Sequence, residues 1–231
     1  LPTRGRRDQC KHALHPRLPG KIVSRDALRS PRVAPDDVQS ALARAAAEDG
    51  LVLRSATFDW LNEQGHVGLE RVAKARRDPA LVAPVTAVLA PLAAIYARLG
   101  GDVSVLEASR ANLLLPVDLV HERTATMIEV DDAPHFTSFR LAALELYPAG
   151  TALGFDLDEH LDLCRDWCGR TDGLERGLVA RGFGFGGVQR ERAYCDALRD
   201  PAAPAMGLPP GVRIASVDGH WAAAYRRRRE P

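Results

Sequence analysis

Residues 113–140, LLLPVDLVHERTATMIEVDDAPHFTSFR, place carboxylates where short apolar runs end. Asp118 closes the first run, Glu129, Asp131 and Asp132 close the second, and His135 follows. Acids set beside a buried sheet are unfavourable unless something positive compensates them. The compensator is either a metal ion or a cluster of Arg and Lys. Hard divalent cations prefer carboxylate oxygens, and such an ion both activates a water and stabilises a leaving oxygen. Period-two alternation puts Glu129 and Asp131 on one face of their strand. Asp118, at the end of the neighbouring strand, can point into the same site. His135 is placed to act as a general base or to touch a scissile phosphate. Arg140, or Arg190, Arg192 and Arg199 further along, can clamp phosphate oxygens bidentately.

These groups need a frame. Two β-prone runs, 113–120 and 125–130, flank the polar turn His121-Glu122-Arg123 and predict a hairpin. Upstream, Pro35-Asp36-Asp37 opens a helix that Gly50 stops, and 51–58 reads as a short strand. Helices are expected over 59–77 and 80–99, the second long, Ala-rich and kinked or broken at Pro84 and Pro91. Residues 102–108 read as a strand leading into the hairpin. Downstream, helices are expected over 136–146, from Asp156 or Asp158 to Cys168, and over 171–181. A glycine-rich loop, 182–187, precedes a basic helix that ends before Pro201, and 212–217 form a last strand. The chain therefore divides into a basic arm (1–34), a helical N-terminal part (35–99) and an α/β core (100–231).

The 231 residues, 46% hydrophobic and 26% charged, suit a globular protein with a substantial core. No uninterrupted apolar run approaches the roughly 18 residues that span a bilayer, and the first residues lack the apolar stretch of a secretory signal. Four cysteines are too few for a disulfide scaffold, so a reducing cytoplasm is expected. The net charge of +1 conceals segregation: nine basic residues face only Asp8 and Asp26 before Pro35, and Arg226 to Arg229 run together. Basic tails on an acidic body suit a polyanionic partner.

Asp118, the segment Glu129-Val130-Asp131 and then His135 resemble the PD-(D/E)XK, or restriction-endonuclease-like, nuclease superfamily. The nearest likeness is to the very-short-patch-repair-like endonucleases and their uncharacterised relatives. Those carry an Asp on one strand, an E-[LV]-D-G-x-x-H segment on the next, and a D-x-x-R helix before a final strand. Here IEVDDAPH supplies the second element and Asp196-Ala197-Leu198-Arg199 the third. The resemblance covers residues 100–218, with an insertion at 136–188. It implies an α/β fold, a small mixed β-sheet flanked by helices, here with an N-terminal helical extension. It also implies hydrolysis of DNA phosphodiesters, with RNA a further candidate, by Asp118, Glu129, Asp131 and His135. Asp118, Glu129 and Asp131 would ligate Mg²⁺ (or Mn²⁺), Arg140, Arg190, Arg192 and Arg199 would contact nucleic acid, and a homodimer would cut both strands. Asp131 stands where the superfamily usually has Lys, and Asp132 where Gly is common. Two other readings stay open: a non-cleaving member of the same fold that binds nucleic acid or a protein, its acids held by arginines, and an unrelated α/β protein with a solvated hairpin end.

Other signals are weaker. His160, Cys164 and Cys168 share one helical stripe, but the outer two are too far apart for one zinc and read as core. Gly182 to Gly187 lacks the βαβ context of a dinucleotide fingerprint, although its amides at a helix N-terminus could meet a phosphate. Trp60, Trp167 and Trp221 are scattered and form no stacking platform.

Overall fold

The computed structural model describes residues 22–24 and 38–229. The basic arm and the Pro35-Asp36-Asp37 helix opening fall outside the described residues, apart from β1 (Ile22–Ser24). Helix α1 (Val38–Glu48) leads to β2 (Leu53–Arg54) and β3 (Ala56–Asn62). Helices α2 (Gly65–Ala75), α3 (Pro79–Arg98) and α4 (Val103–Ala108) follow, then β4 (Leu114–Pro116), β5 (Leu119–His121) and β6 (Met127–Asp131). A 3-10 turn (Ala133–His135) delivers the chain to α5 (Ser138–Leu144) and α6 (Leu157–Thr171). A hairpin of β7 (Val179–Ala180) and β8 (Gly184–Phe185) precedes α7 (Val188–Ala205), β9 (Val212–Ala215) and α8 (Trp221–Arg229).

A mixed four-stranded sheet in the order β2-β5-β6-β9 carries the acids. β2, β5 and β6 are antiparallel neighbours, and β9 returns parallel to β6 after the long helical crossover. Alternation sorts the sheet's two faces. Leu119, Val130 and Ile214 pack on α1 and α8 through Leu42, Ala45 and Tyr225. Val120 and Met127 face the opposite core, with Leu69 and Leu92 from α2 and α3 and Leu198 and Ala202 from α7. The result is a layered α/β architecture with helices on both sides of a small mixed sheet.

Several local expectations are corrected. Residues 113–120 split between two sheets, because β4 pairs with β3 whereas β5 pairs with β6. Pro116, which cannot donate to a ladder, marks the division. Residues 59–62 belong to β3, where Ala56, Phe58 and Trp60 alternate into the core, and the helix expected from 59 starts at Gly65. The stretch 35–99 is thus helical but also supplies β2 and β3. Residues 102–108 are the helix α4, since the Asp102 carboxylate caps it by accepting from Ser104 N at 3.0 Å. Where a helix was expected over 171–181, α6 ends at Thr171 and turns lead into β7. α3 continues across Pro84 and Pro91, and α7 continues past Pro201 and Pro204. An interior proline costs about 3 kcal/mol. In α7 the burial of Leu198, Ala202 and Ala203 outweighs it. Among the described residues α3 is the one helix long and apolar enough to cross a membrane; its Leu81, Val85, Leu92 and Ile95 are packed into the two cores.

Gly65 ties the first half of the chain to α7. Its φ of +54° lies in the left-handed region, and a Cβ there would collide with Tyr194 Oη. That hydroxyl accepts from the His66 amide at 2.9 Å. Left-handed backbone costs an L-residue about 1–2 kcal/mol, and overpacking adds about 1–3 kcal/mol. Gly65→Ala should therefore lower unfolding free energy by at least about 2 kcal/mol in a urea titration.

Candidate active site

Arg213 on β9 is an arginine in an otherwise apolar strand, 1% exposed. Its guanidinium meets three carboxylates: Nη1 donates to Asp131 Oδ1 at 2.8 Å, Nε to Asp200 Oδ1 at 2.9 Å, and Nη2 lies 3.3 Å from Asp196 Oδ1. Asp196 and Asp200 are four residues apart on α7 and so share one face. Asp200 Oδ2 also accepts from Arg140 Nη2 at 2.7 Å and from Tyr147 Oη at 2.6 Å. His160, on α6, faces Asp131 Oδ2 with Nε2 at 3.3 Å, and its Nδ1 lies 3.1 Å from the Asp156 carbonyl. Burial alone would raise the pKa values of Asp131 and Asp196. Arg213 foremost, with His160 and His135 at Asp131 and His135 and Arg140 at Asp196, reverses this and holds both below the usual carboxylate range.

The other acids border a cavity of about 370 Å³, lined by Asp118, Glu129, His135, Arg192, Asp196 and Arg199 among others. The β5–β6 register pairs Leu119 with Ile128, and one further step sets Asp118 beside Glu129. Asp118 Oδ2 accepts from the Val130 amide at 2.9 Å and Oδ1 from Gln39 Nε2 at 2.9 Å. Glu129 is compensated far less well. It is 6% exposed, and its Oε1 has no hydrogen-bond partner although Arg199 Nε lies 3.4 Å away. Burial pushes the Glu129 carboxyl up to about 7, with Arg199 opposing and the charge of Asp118 adding to the rise.

His135 joins the two groups. Its Nδ1 sits 3.3 Å from both Asp131 Oδ1 and Asp196 Oδ2, and its Nε2 lies 3.7 Å from Asp132. Burial disfavours the charged ring, but Asp196 and then Asp131 outweigh that and raise its pKa. The structure thus brings Asp118, Glu129 and His135 to one cavity wall and leaves Asp131 behind it, 1% exposed. The arginines are dispersed. Arg199 and Arg192 line the cavity, with Arg192 held bidentately by Glu175 at 2.7 and 2.9 Å. Arg190 lies elsewhere, donating to the Phe185 carbonyl. Arg140 is 2% exposed and fully engaged with Asp200 and Tyr147.

The donor set can be tested against a hard cation. Asp131 has both oxygens occupied by Arg213, His135 and His160. Among the described residues no three His, Cys, Asp or Glu side chains are grouped to hold an ion. Glu129 fits a less demanding role, with Asp118 beside it once Oδ1 gives up its bond from Gln39. They share the cavity, and Glu129 carries a buried oxygen without a hydrogen bond. Mg²⁺ is commonly held by one or two carboxylates, with water and substrate phosphate completing its shell.

Sequence reasoning did not find Arg213, Asp200 or His160 as members of this network. A lone Arg in VRIASV was the available signal, since a buried arginine demands acidic partners. Compared with known proteins, the chain matches no family model, no curated protein and no solved structure.

Proposed function

We propose that the chain is a metal-dependent nuclease of the restriction-endonuclease-like kind, hydrolysing phosphodiester bonds of DNA. The carrying observation is the shared cavity in which Asp118 and the poorly compensated Glu129 meet His135 and Arg199. The chain order supports it too: an acid before one strand, Glu and Asp on the next, His after it, Asp196 and Arg199 on a later helix, then a parallel strand.

In this reading Asp118 and Glu129 hold Mg²⁺ or Mn²⁺, which when bound supplies the Lewis acidity that activates water and steadies the leaving oxygen. Asp131 and Asp196 fix the His135 ring from its Nδ1 side, leaving Nε2 to exchange a proton at the site. Arg199 and Arg192 offset the charge of an incoming phosphate. Arg213 keeps Asp131 and Asp196 ionised and in place.

One observation favours a second reading, a non-cleaving nucleic-acid-binding protein of this fold. Arg213 itself compensates the buried charges of Asp131 and Asp196. Supercoiled-plasmid nicking separates the two. Nicking that requires Mg²⁺ or Mn²⁺, ceases in EDTA and disappears in Asp118→Asn is the expected result. Ion-independent DNA binding with no nicking at any pH or metal concentration would establish the second reading instead.

A further inference from the structure

We propose that a second cavity, between α3, α4 and α7, binds a small organic cation through a methylated ammonium group. It measures about 110 Å³ and is bordered by three aromatic rings, Tyr96, Phe183 and Tyr194, and by two acids, Glu63 and Glu191. Cys195 on α7 touches both this cavity and the one that holds Asp118 and Glu129.

The aromatic wall exists because the backbone makes way for it. A Cβ at Gly65 would collide with Tyr194 Oη, one at Gly101 would lie 2.5 Å from the Tyr96 ring, and one at Gly182 would lie 2.7 Å from Tyr96 Oη. Tyr96 packs edge-on against Phe183 and Tyr194, with ring centroids 5.0 and 4.6 Å apart. Both tyrosine hydroxyls are already engaged. Tyr96 Oη donates to the Asp102 carbonyl at 3.1 Å, and Tyr194 Oη accepts from the His66 amide at 2.9 Å and lies 2.8 Å from His66 Nδ1. What these residues offer a guest is therefore ring surface, which attracts cations.

The charge has the matching sign. Among the described residues that line the cavity, Glu63 and Glu191 face one cation, Arg181. Arg181 is exposed and lies 3.3 Å from Glu63 Oε2, a pair that water screens. Glu191 is half-buried and makes no ion pair among the described residues, since its neighbour Arg192 is held by Glu175. Burial, and then the charge of Glu63, raises the Glu191 pKa, as befits an acid short of a cation. A primary ammonium would give up its hydrogen bonds to water on entering a site walled by rings, Val105, Leu106 and Leu115. Methylation removes those donors and spreads the charge over carbon, which suits such walls. An apolar cavity of about 150 Å³ admits benzene. This smaller one takes a compact head such as trimethylammonium, with the rest of the guest at its mouth.

The probe is choline, titrated by calorimetry into the full chain, and the comparison is its neutral isostere, 3,3-dimethylbutan-1-ol. Choline should bind saturably and about tenfold more tightly than the alcohol. Glu191→Gln should weaken choline about tenfold and leave the alcohol unchanged, which separates a lost charge from a lost fold. Arg181→Gln releases Glu63 and should tighten choline about threefold. Phosphatidylcholine vesicles separate the sources of the group: displacement of choline assigns it to a lipid headgroup, and indifference to a soluble ligand, the site standing in either case. No saturable binding, an alcohol that binds as tightly as choline, or choline binding indifferent to Glu191→Gln overturns the proposal.

Discussion

Arg213→Met should destabilise the protein by about 3–5 kcal/mol, the cost of breaking a buried ion pair by removing one partner. That is a large share of the roughly 5–15 kcal/mol by which domains are stable, so the variant should be unfolded at 37 °C or close to it. Methionine roughly matches the aliphatic volume, so the loss is electrostatic. Three buried carboxylates, Asp131, Asp196 and Asp200, would be left with Arg140, Arg199 and the two histidines. Arg213→Lys should recover only part, because an ammonium cannot serve three acids as a planar fork does. Adding Asp131→Asn to Arg213→Met should recover only part of the loss in a double-mutant cycle, since Asp196 and Asp200 still lack Arg213. The sign with pH follows from Asp196, whose folded pKa lies below its unfolded value. Its contribution is fully present above the unfolded pKa of about 4 and disappears as pH falls below that. Acid unfolding of the wild type should therefore begin below about pH 4. If Arg213→Met melts within a few degrees of wild type at pH 7, Arg213 is not the group that holds these acids.

The acids were legible in the sequence because their signal is local. IEVDDAPH follows an apolar run, so period-two alternation and one turn suffice to put Glu129, Asp131 and His135 near one another. The network behind them was not legible, because it joins residues distant in the chain. Asp131 meets Arg213 eighty-two positions later, and Arg140 meets Asp200 sixty positions later. Local composition misled for a definite reason at VSVLEA, a β-prone run whose preceding Asp102 caps a helix instead. It misled again at Pro201 and Pro204, where tertiary burial of alanines overrides a strong helix breaker. Arg140 shows the same limit: its charge suggested a phosphate contact, and only the fold shows it committed to Asp200.

Glu129→Gln should move stability and cleavage in opposite directions. Ionising Glu129 in the folded chain is unfavourable, since burial raises its pKa from 4.5 to about 7. A raised carboxyl pKa means the folded state keeps the proton to higher pH. Stability in EDTA should therefore fall as pH rises from about 4.5 to about 7 and level off above that. At pH 8 the ionised group costs about 3 kcal/mol, and the neutral isostere removes that cost together with the pH slope. The variant should melt higher than wild type at pH 8 without metal. Metal-dependent nicking should nonetheless fall on the order of 10³-fold, because several kcal/mol of cation stabilisation are lost at about 1.4 kcal/mol per tenfold. If Glu129 ligates the ion, added Mg²⁺ should raise the melting temperature of wild type and not that of the variant. A purely structural Glu129 would give a different pattern, with neither variant nor wild type responding to Mg²⁺. A Glu129→Gln protein that nicks DNA at the wild-type rate would remove this carboxylate from the ion's ligands, and with it the reading of the cavity as a cation site.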